Sequence, residues 1–166
     1  MADRVHLGYL DEGGSVMVAT TVADILKHAE KFEQLLSDYY RRVSEETISE
    51  GVRLLTDHMS RHRVRLKEAL AKLSDEDLSR VTSTPIPYEP QGADGHSLEG
   101  VKLPPDATSA EVLDVAIMFD QCLIDLYRQA SRQSEHEEVV ALFEGLISLE
   151  EKDEMELQKI KAIHYF

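Results

Sequence analysis

The chain has 166 residues, of which 42% are hydrophobic and 30% charged, and its formal net charge is −14. This is the size and composition of one soluble globular domain, and the acidic charge disfavours nucleic acid and anionic membranes as partners. The single cysteine, Cys122, excludes an intrachain disulfide and a CxxC metal site. Residues 1–20 are predicted to form an N-terminal extension holding a small hairpin, with "DEGG" as its turn.

Two long amphipathic helices are predicted after this extension. The first begins at Thr21, with Asp24 three residues on, and the second begins at Ser44, which is followed by two glutamates. Apolar residues recur at steps of three and four in both segments, as on one face of a helix. The first stripe is Val22, Ile25, Ala29, Phe32, Leu36, Tyr39 and Val43, and the second is Ile48, Val52, Leu55, Met59, His62, Leu66, Ala69 and Leu73.

Residues 74–107 form a long connection that is rich in proline and glycine after a short helix predicted from Ser74-x-x-Asp77. The capping boxes Thr108-x-x-Glu111 and Ser134-x-x-Glu137 then begin the third and fourth helices. Such a connection is too long for a bundle made of simple turns. We therefore expect a single all-α domain over residues 1–166, in which two helical hairpins are joined by the crossover 74–107.

The two hairpins carry a faint internal repeat. Glu33 and Tyr40 on the first helix are seven residues apart, as are Asp120 and Tyr127 on the third. When the second and fourth helices are aligned, their apolar positions agree. Met59 then corresponds to Glu150, and His62 corresponds to Asp153. The repeat therefore predicts that polar side chains from all four helices meet inside the bundle.

In these features the chain resembles the rubrerythrin and ferritin-like four-helix bundles, which hold two metal ions between a carboxylate on each of two helices and a Glu-x-x-His pair on each of the others. The resemblance implies that Glu33, Asp120 and Glu150 are carboxylate ligands, with His62 as the imidazole ligand and Asp153 as a further oxygen donor. It also implies iron, manganese or zinc as the cofactor, and ferrous oxidation or peroxide reduction if iron binds. No rubredoxin-type cysteine pairs accompany the bundle.

Two positions depart from that pattern. Met59 stands where the second-helix glutamate belongs, and Asp153 where the fourth-helix histidine belongs. Because a thioether does not bridge hard metal ions, we predict an incomplete dinuclear site that retains one ion or none. A register shift of one residue on the fourth helix would select Glu151 and Glu154 instead.

Two other interpretations remain open at this stage. A hemerythrin-type centre would use histidines, and His28, His58, His62 and His136 are available. Alternatively, the chain is a non-catalytic helical scaffold with a degenerate metal site.

We also expect a homodimer, because long helices with continuous apolar stripes often bury a second face. No membrane-length apolar segment or export signal is recognised, and we expect a cytoplasmic protein. The sequence does not identify an electron-transfer partner.

Overall fold

The computed structural model describes residues 20–75 and 79–164, with side chains at 20–73 and 79–163. It also describes two short strands, β1 (Tyr9–Leu10) and β2 (Val16–Met17). These strands pair antiparallel, with Tyr9 opposite Met17, as the predicted hairpin requires. The "DEGG" turn lies outside the described residues. The prediction that a short helix begins at Ser74 was wrong, because the second long helix continues through Ser74 to Asp75. Residues 76–78, which follow it, lie outside the described residues.

Four long helices form the body of the molecule: α1 (Val22–Glu46), α2 (Glu50–Asp75), α5 (Ser109–Arg132) and α6 (Glu137–His164). Helix α1 packs along α2, and α5 packs along α6. Two short helices, α3 (Ser79–Thr82) and α4 (Gly95–Leu98), lie within the crossover. The predicted arrangement of two hairpins joined by a long connection is therefore confirmed.

The helix starts were predicted correctly for α1 and α5. Thr21 and Asp24 form a reciprocal capping box, and so do Thr108 and Glu111. The prediction that Ser44 caps the second helix was wrong, because α1 continues through it to Glu46. The hydroxyl of Ser49 accepts instead from the Val52 N–H, at 3.2 Å, at the start of α2.

The prediction for α6 was also wrong in detail. The Ser134 hydroxyl accepts from the His136 N–H at 3.2 Å, and the helix begins only at Glu137. Ser134 thus organises the turn that precedes the helix rather than its first turn. The physical reason is that a serine hydroxyl bonds as readily to an N–H two residues on as to one three residues on.

The crossover is bonded to both ends of α1. At the start of α1, the Val22 N–H donates to the Thr84 carbonyl at 3.0 Å, and the Ile86 N–H donates to the Thr20 carbonyl at 2.8 Å. Just after the end of α1, the Ile48 N–H donates to the Pro105 carbonyl at 2.9 Å. The connection therefore runs as a strap along the first hairpin.

The core contains the predicted faces of α1 and α5, but α2 is rotated from its predicted orientation. Its buried positions are Val52, Thr56, Met59, Arg63 and Leu70. Ile48 was predicted to be in the core and is instead 77% exposed in the turn before α2. Ala69 is exposed too, and His62 is half-buried. Cys122 is a free cysteine that is half-buried against the core.

Among the residues described, none of the helices has both the length and the apolar character needed to cross a membrane.

Candidate functional site

Each long helix contributes one buried charged group to a cluster at the centre of the bundle. Glu33 comes from α1, Arg63 from α2, Asp120 from α5 and Glu150 from α6, and none is more than 4% exposed. The sequence predicted that the three carboxyl groups point inward. It gave no role to Arg63, which joins them.

The Arg63 guanidinium lies between the carboxyl groups. Its Nη1 donates to both oxygens of Glu33, at 3.4 and 3.2 Å, and its Nη2 donates to Oδ1 of Asp120. Nη1 also lies 3.7 Å from Oε2 of Glu150. One side chain therefore links α2 to the other three helices, and it does so through charge-assisted contacts that are shielded from water.

Two carboxylate oxygens of the cluster have no hydrogen-bond partner among the described residues: Asp120 Oδ2 and Glu150 Oε2. The buried hydroxyl of Tyr40 also has none. A buried polar atom without a partner costs roughly 1–3 kcal/mol, and more if it is charged. One guanidinium thus leaves the three carboxyl groups incompletely satisfied.

Burial shifts the titration of all three carboxyl groups in the same direction. Burial raises the pKa of Glu33 and of Asp120, although Arg63 lowers each in part. Burial also raises the pKa of Glu150 well above its usual range, again against the effect of Arg63. Since one positive charge faces three acids, the cluster has an affinity for further positive charge, either protons or a cation.

The burial of Tyr40 beside the cluster raises its pKa, and the same cause raises that of Tyr127. Both phenols are therefore neutral. The ring of Tyr127 stacks on Phe143, with 6.1 Å between the centroids. Both tyrosine side chains are buried.

The remaining two predicted ligands form a separate pair next to the cluster. His62 Nε2 lies 3.0 Å from Asp153 Oδ2, and the two side chains are 35% and 26% exposed. The pair bridges α2 and α6 one residue away from Arg63 along the chain. The five predicted ligands are thus divided between a buried carboxyl cluster and a partly exposed imidazole–carboxylate pair.

A cavity of about 290 Å³ connects these two parts. Asp120 and Arg63 border it on the inside, whereas the exposed His58 and Glu156 border it on the outside. Its other lining residues are Leu55, Met59, His62, Asp153, Leu157 and Ile160. The cavity is much larger than one water molecule, so a hydrated ion has room to reach Asp120.

The rotation of α6 decides which of two pairs faces the interior: Glu150 with Asp153, or Glu151 with Glu154. Glu150 is 4% exposed and faces the cluster, whereas Glu151 is exposed and lies 3.5 Å from Arg128. Glu154 borders a different surface cavity, together with Arg128. Of the two sets, Glu150 and Asp153 are therefore the residues that face the interior.

The histidines of the hemerythrin-type interpretation do not come together. His28 contacts the Gly92 carbonyl at 2.9 Å, and His136 is exposed just before α6. Only His58 and His62 share the cavity. This arrangement gives the hemerythrin-type centre no support.

Comparison with known proteins identifies the fold. No family model and no curated protein matches the chain. The chain does match the crystal structure of a Thermotoga maritima protein that is described as ferritin-like and diiron-carboxylate, with a TM-score of 0.63 over 87% of this chain and 96% of that one. The fold is ferritin-like. The sequence identity is 20%, so the likeness concerns the fold alone.

The residues of this ferritin-like bundle do not fit a dinuclear metal centre. The Arg63 guanidinium lies among the carboxyl groups that would have to hold two ions, and Met59 offers no bridging oxygen. Within the described residues, no three His, Cys, Asp or Glu side chains are arranged as a ready metal site. A single ion is a different matter, because the unpartnered Asp120 Oδ2 belongs to a residue that borders the cavity.

Sequence reasoning missed Arg63 because the stripe chosen for the second helix ran through the preceding residue, His62. A signal was nevertheless present. Val52, Thr56, Met59, Arg63 and Leu70 follow steps of four, three, four and seven, the same helical period as the stripe that was chosen instead.

Proposed function

We propose that this chain is a ferritin-like metal-binding protein that holds one divalent cation per chain. The proposed ligands are Asp120, His62 and Asp153, which line the same cavity and would have to reorient toward a common point to hold the ion. Glu33 and Glu150 then complete the negative surroundings of the ion without belonging to its nearest ligands. Of the five predicted ligands, three are thus assigned to the ion and two to Arg63.

The observation that carries this proposal is the unpartnered Asp120 Oδ2, a buried carboxylate oxygen of a residue bordering a cavity also lined by an imidazole and a second carboxylate. Imidazole and carboxylate ligands suit zinc, manganese and iron. His62 and Asp153 would exchange their mutual hydrogen bond for the ion. That bond is partly exposed, so its loss costs about 1 kcal/mol or less.

When bound, a divalent ion would supply Lewis acidity and, in the case of iron, redox chemistry. The surrounding residues have separate tasks. Tyr40 and Tyr127 exclude water on one side, whereas the cavity admits solvent and small molecules on the other. We therefore infer ferrous oxidation or peroxide reduction as the reactions to test if the ion is iron.

Metal binding is tested with protein that has been stripped with a chelator and then titrated anaerobically with Fe²⁺, Mn²⁺ and Zn²⁺. We expect up to one equivalent per chain after gel filtration, together with a rise in the thermal midpoint. Asp120→Asn and His62→Ala should each lower the affinity at least tenfold, because the first removes the negative charge of one ligand and the second removes the imidazole ligand. Elemental analysis and thermal melts measure both effects.

His96→Ala is the matched control. His96 also pairs with a carboxylate, Glu99, at 3.1 Å, but it lies on the exposed α4 and away from the cavity. We expect this variant to bind metal like the native chain. Failure of the native chain to bind any of the three ions would contradict the proposal, as would binding that persists in both Asp120→Asn and His62→Ala.

A second candidate function is a metal-free helical scaffold, and the observation that favours it is Arg63. Its guanidinium already gives the cluster a positive charge. In that case the bundle would act through its surface, where Ile48, Leu54, Leu149 and Met155 expose apolar side chains. Absence of any thermal shift with metal, together with normal folding, would favour this alternative.

We further propose, from the sequence, a cytoplasmic homodimer. The apolar side chains exposed on α2 and α6 support an interface between two copies of the chain. Sedimentation analysis of the purified chain would test this, and a monomer at micromolar concentration would contradict it.

A further inference from the structure

The buried guanidinium of Arg63 raises a question that metal binding at the cavity does not answer. Arginine is among the residues least often buried, and removing its charge from water is costly unless partners compensate. Arg63 is only 3% exposed. Its environment must therefore supply compensating partners, and acidic side chains from three different helices surround it.

The carboxyl groups have the complementary problem. Glu33, Asp120 and Glu150 each have an oxygen within 4 Å of the Arg63 guanidinium in the core, where like charges repel strongly and little water screens them. Without a cation among them, at least two would have to be neutral for the bundle to close. The guanidinium lies where all three can be reached by one group.

We propose that Arg63 is a resident cation that takes the place of a metal ion within the carboxyl cluster. It holds the four helices together through charge in the way a bound ion would, and it leaves no room among Glu33, Asp120 and Glu150 for an ion of its own. The bundle consequently folds without metal, and any ion that binds does so beside Arg63, at the cavity. This inference stands whether or not the cavity binds metal.

The geometry supports this over a simple packing role. The planar guanidinium presents several N–H groups in a fixed fork, and two of its nitrogens reach two carboxylates on different helices. A side chain that only filled space would not need three acidic neighbours. Met59, one helical turn before Arg63, is also buried and provides the uncharged surroundings that an ion-binding glutamate would not.

The test compares Arg63→Met with Arg61→Met in the continuous presence of a chelator. Arg61 lies on the same helix and pairs with Asp57 at 2.7 Å, but it is exposed. We expect Arg63→Met to lower the thermal midpoint by about 10 °C, since it leaves buried acids without their cation. We expect Arg61→Met to shift the midpoint by about 2 °C or less.

A second variant separates charge from packing. Glu33→Gln removes one acid that accepts from Arg63 and is not among the ligands proposed for the ion. If Arg63 acts as a cation, Arg63→Met should lower the midpoint much less in the Glu33→Gln background than in the native one. If Arg63 only fills space, the loss should be the same in both backgrounds.

The inference is overturned if Arg63→Met melts within about 2 °C of Arg61→Met, or if Glu33→Gln brings no relief. Should Arg63→Met fail to fold alone, the double variant Arg63→Met, Glu33→Gln decides. Folding of the double variant supports the inference, and its failure alongside a folded Glu33→Gln protein overturns it. Because every measurement is made with chelator, a failure to bind metal at the cavity leaves these outcomes unchanged.

Discussion

At the scale of single residues, Arg63 shows how little the local sequence says about burial. The segment "SRHRVRL" contains three arginines at alternate positions, Arg61, Arg63 and Arg65. The first and third are exposed and the middle one is buried. Each has similar neighbours along the chain, so only the rotation of α2 against the other helices decides which is inside. The three buried carboxyl groups could be predicted, because the half-repeat and the ferritin-like resemblance both mark these positions.

Buried Glu150 should make the stability of the protein depend on pH. Burial raises its pKa well above the ordinary value of 4.5, so the folded state holds a proton that the unfolded chain releases near that value. The contribution of this proton to stability is fully present below pH 4.5 and is lost as the pH rises through the raised pKa. Glu150→Gln, which mimics the protonated group, should therefore be more stable than the native chain at pH 8 by about 1 kcal/mol or more.

Urea unfolding at pH 4 and pH 8, with chelator present, measures this difference. At pH 4 the two proteins should agree closely. Glu151→Gln is the control, because Glu151 is exposed on the same helix. An advantage of Glu150→Gln that is equal at both pH values would show that the proton is not its cause.

At the scale of helices, α1 and α5 were predicted well and α2 was not. Nearly all apolar residues of α1 fall on one side, so its stripe is unambiguous. Helix α2 also carries apolar residues on its outer side: Leu54 is 63% exposed and Val64 is 38% exposed. When apolar residues surround a helix, two neighbouring stripes fit its period equally well, and contacts with other helices choose between them.

The capping box at the start of α1 should contribute measurably to stability. Thr21→Ala removes the hydroxyl of a complete capping box and should destabilise the protein by about 1 kcal/mol. Ser44→Ala should cost less than about 0.5 kcal/mol, because Ser44 lies inside α1 and its hydroxyl makes only a 3.4 Å contact with the Arg53 carbonyl. Denaturant unfolding of both variants measures the contrast. Equal losses would mean that the capping box contributes nothing beyond an ordinary hydroxyl contact.

At the scale of the whole molecule, the topology could be predicted because it depends on lengths rather than on rotations. A connection of 34 residues between two helix pairs leaves few arrangements open, and the half-repeat placed acids from separate helices in one interior. The identity of the group between those acids could not be predicted in this way. The identity of that group depends on the rotation of α2 about its own axis. The apolar pattern leaves this rotation open by a few tens of degrees.

The strap formed by the crossover has a consequence for the covalent integrity of the chain. Its two attachment points lie at opposite ends of α1, a helix about 37 Å long, and Gln91 and Gly92 between them are exposed. If the peptide bond between Gln91 and Gly92 is broken, the two parts of the chain should stay associated. We expect fragments 1–91 and 92–166, expressed together, to co-purify as one helical complex. Fragments that fail to associate would mean that the two hairpins depend on their shared backbone to find each other.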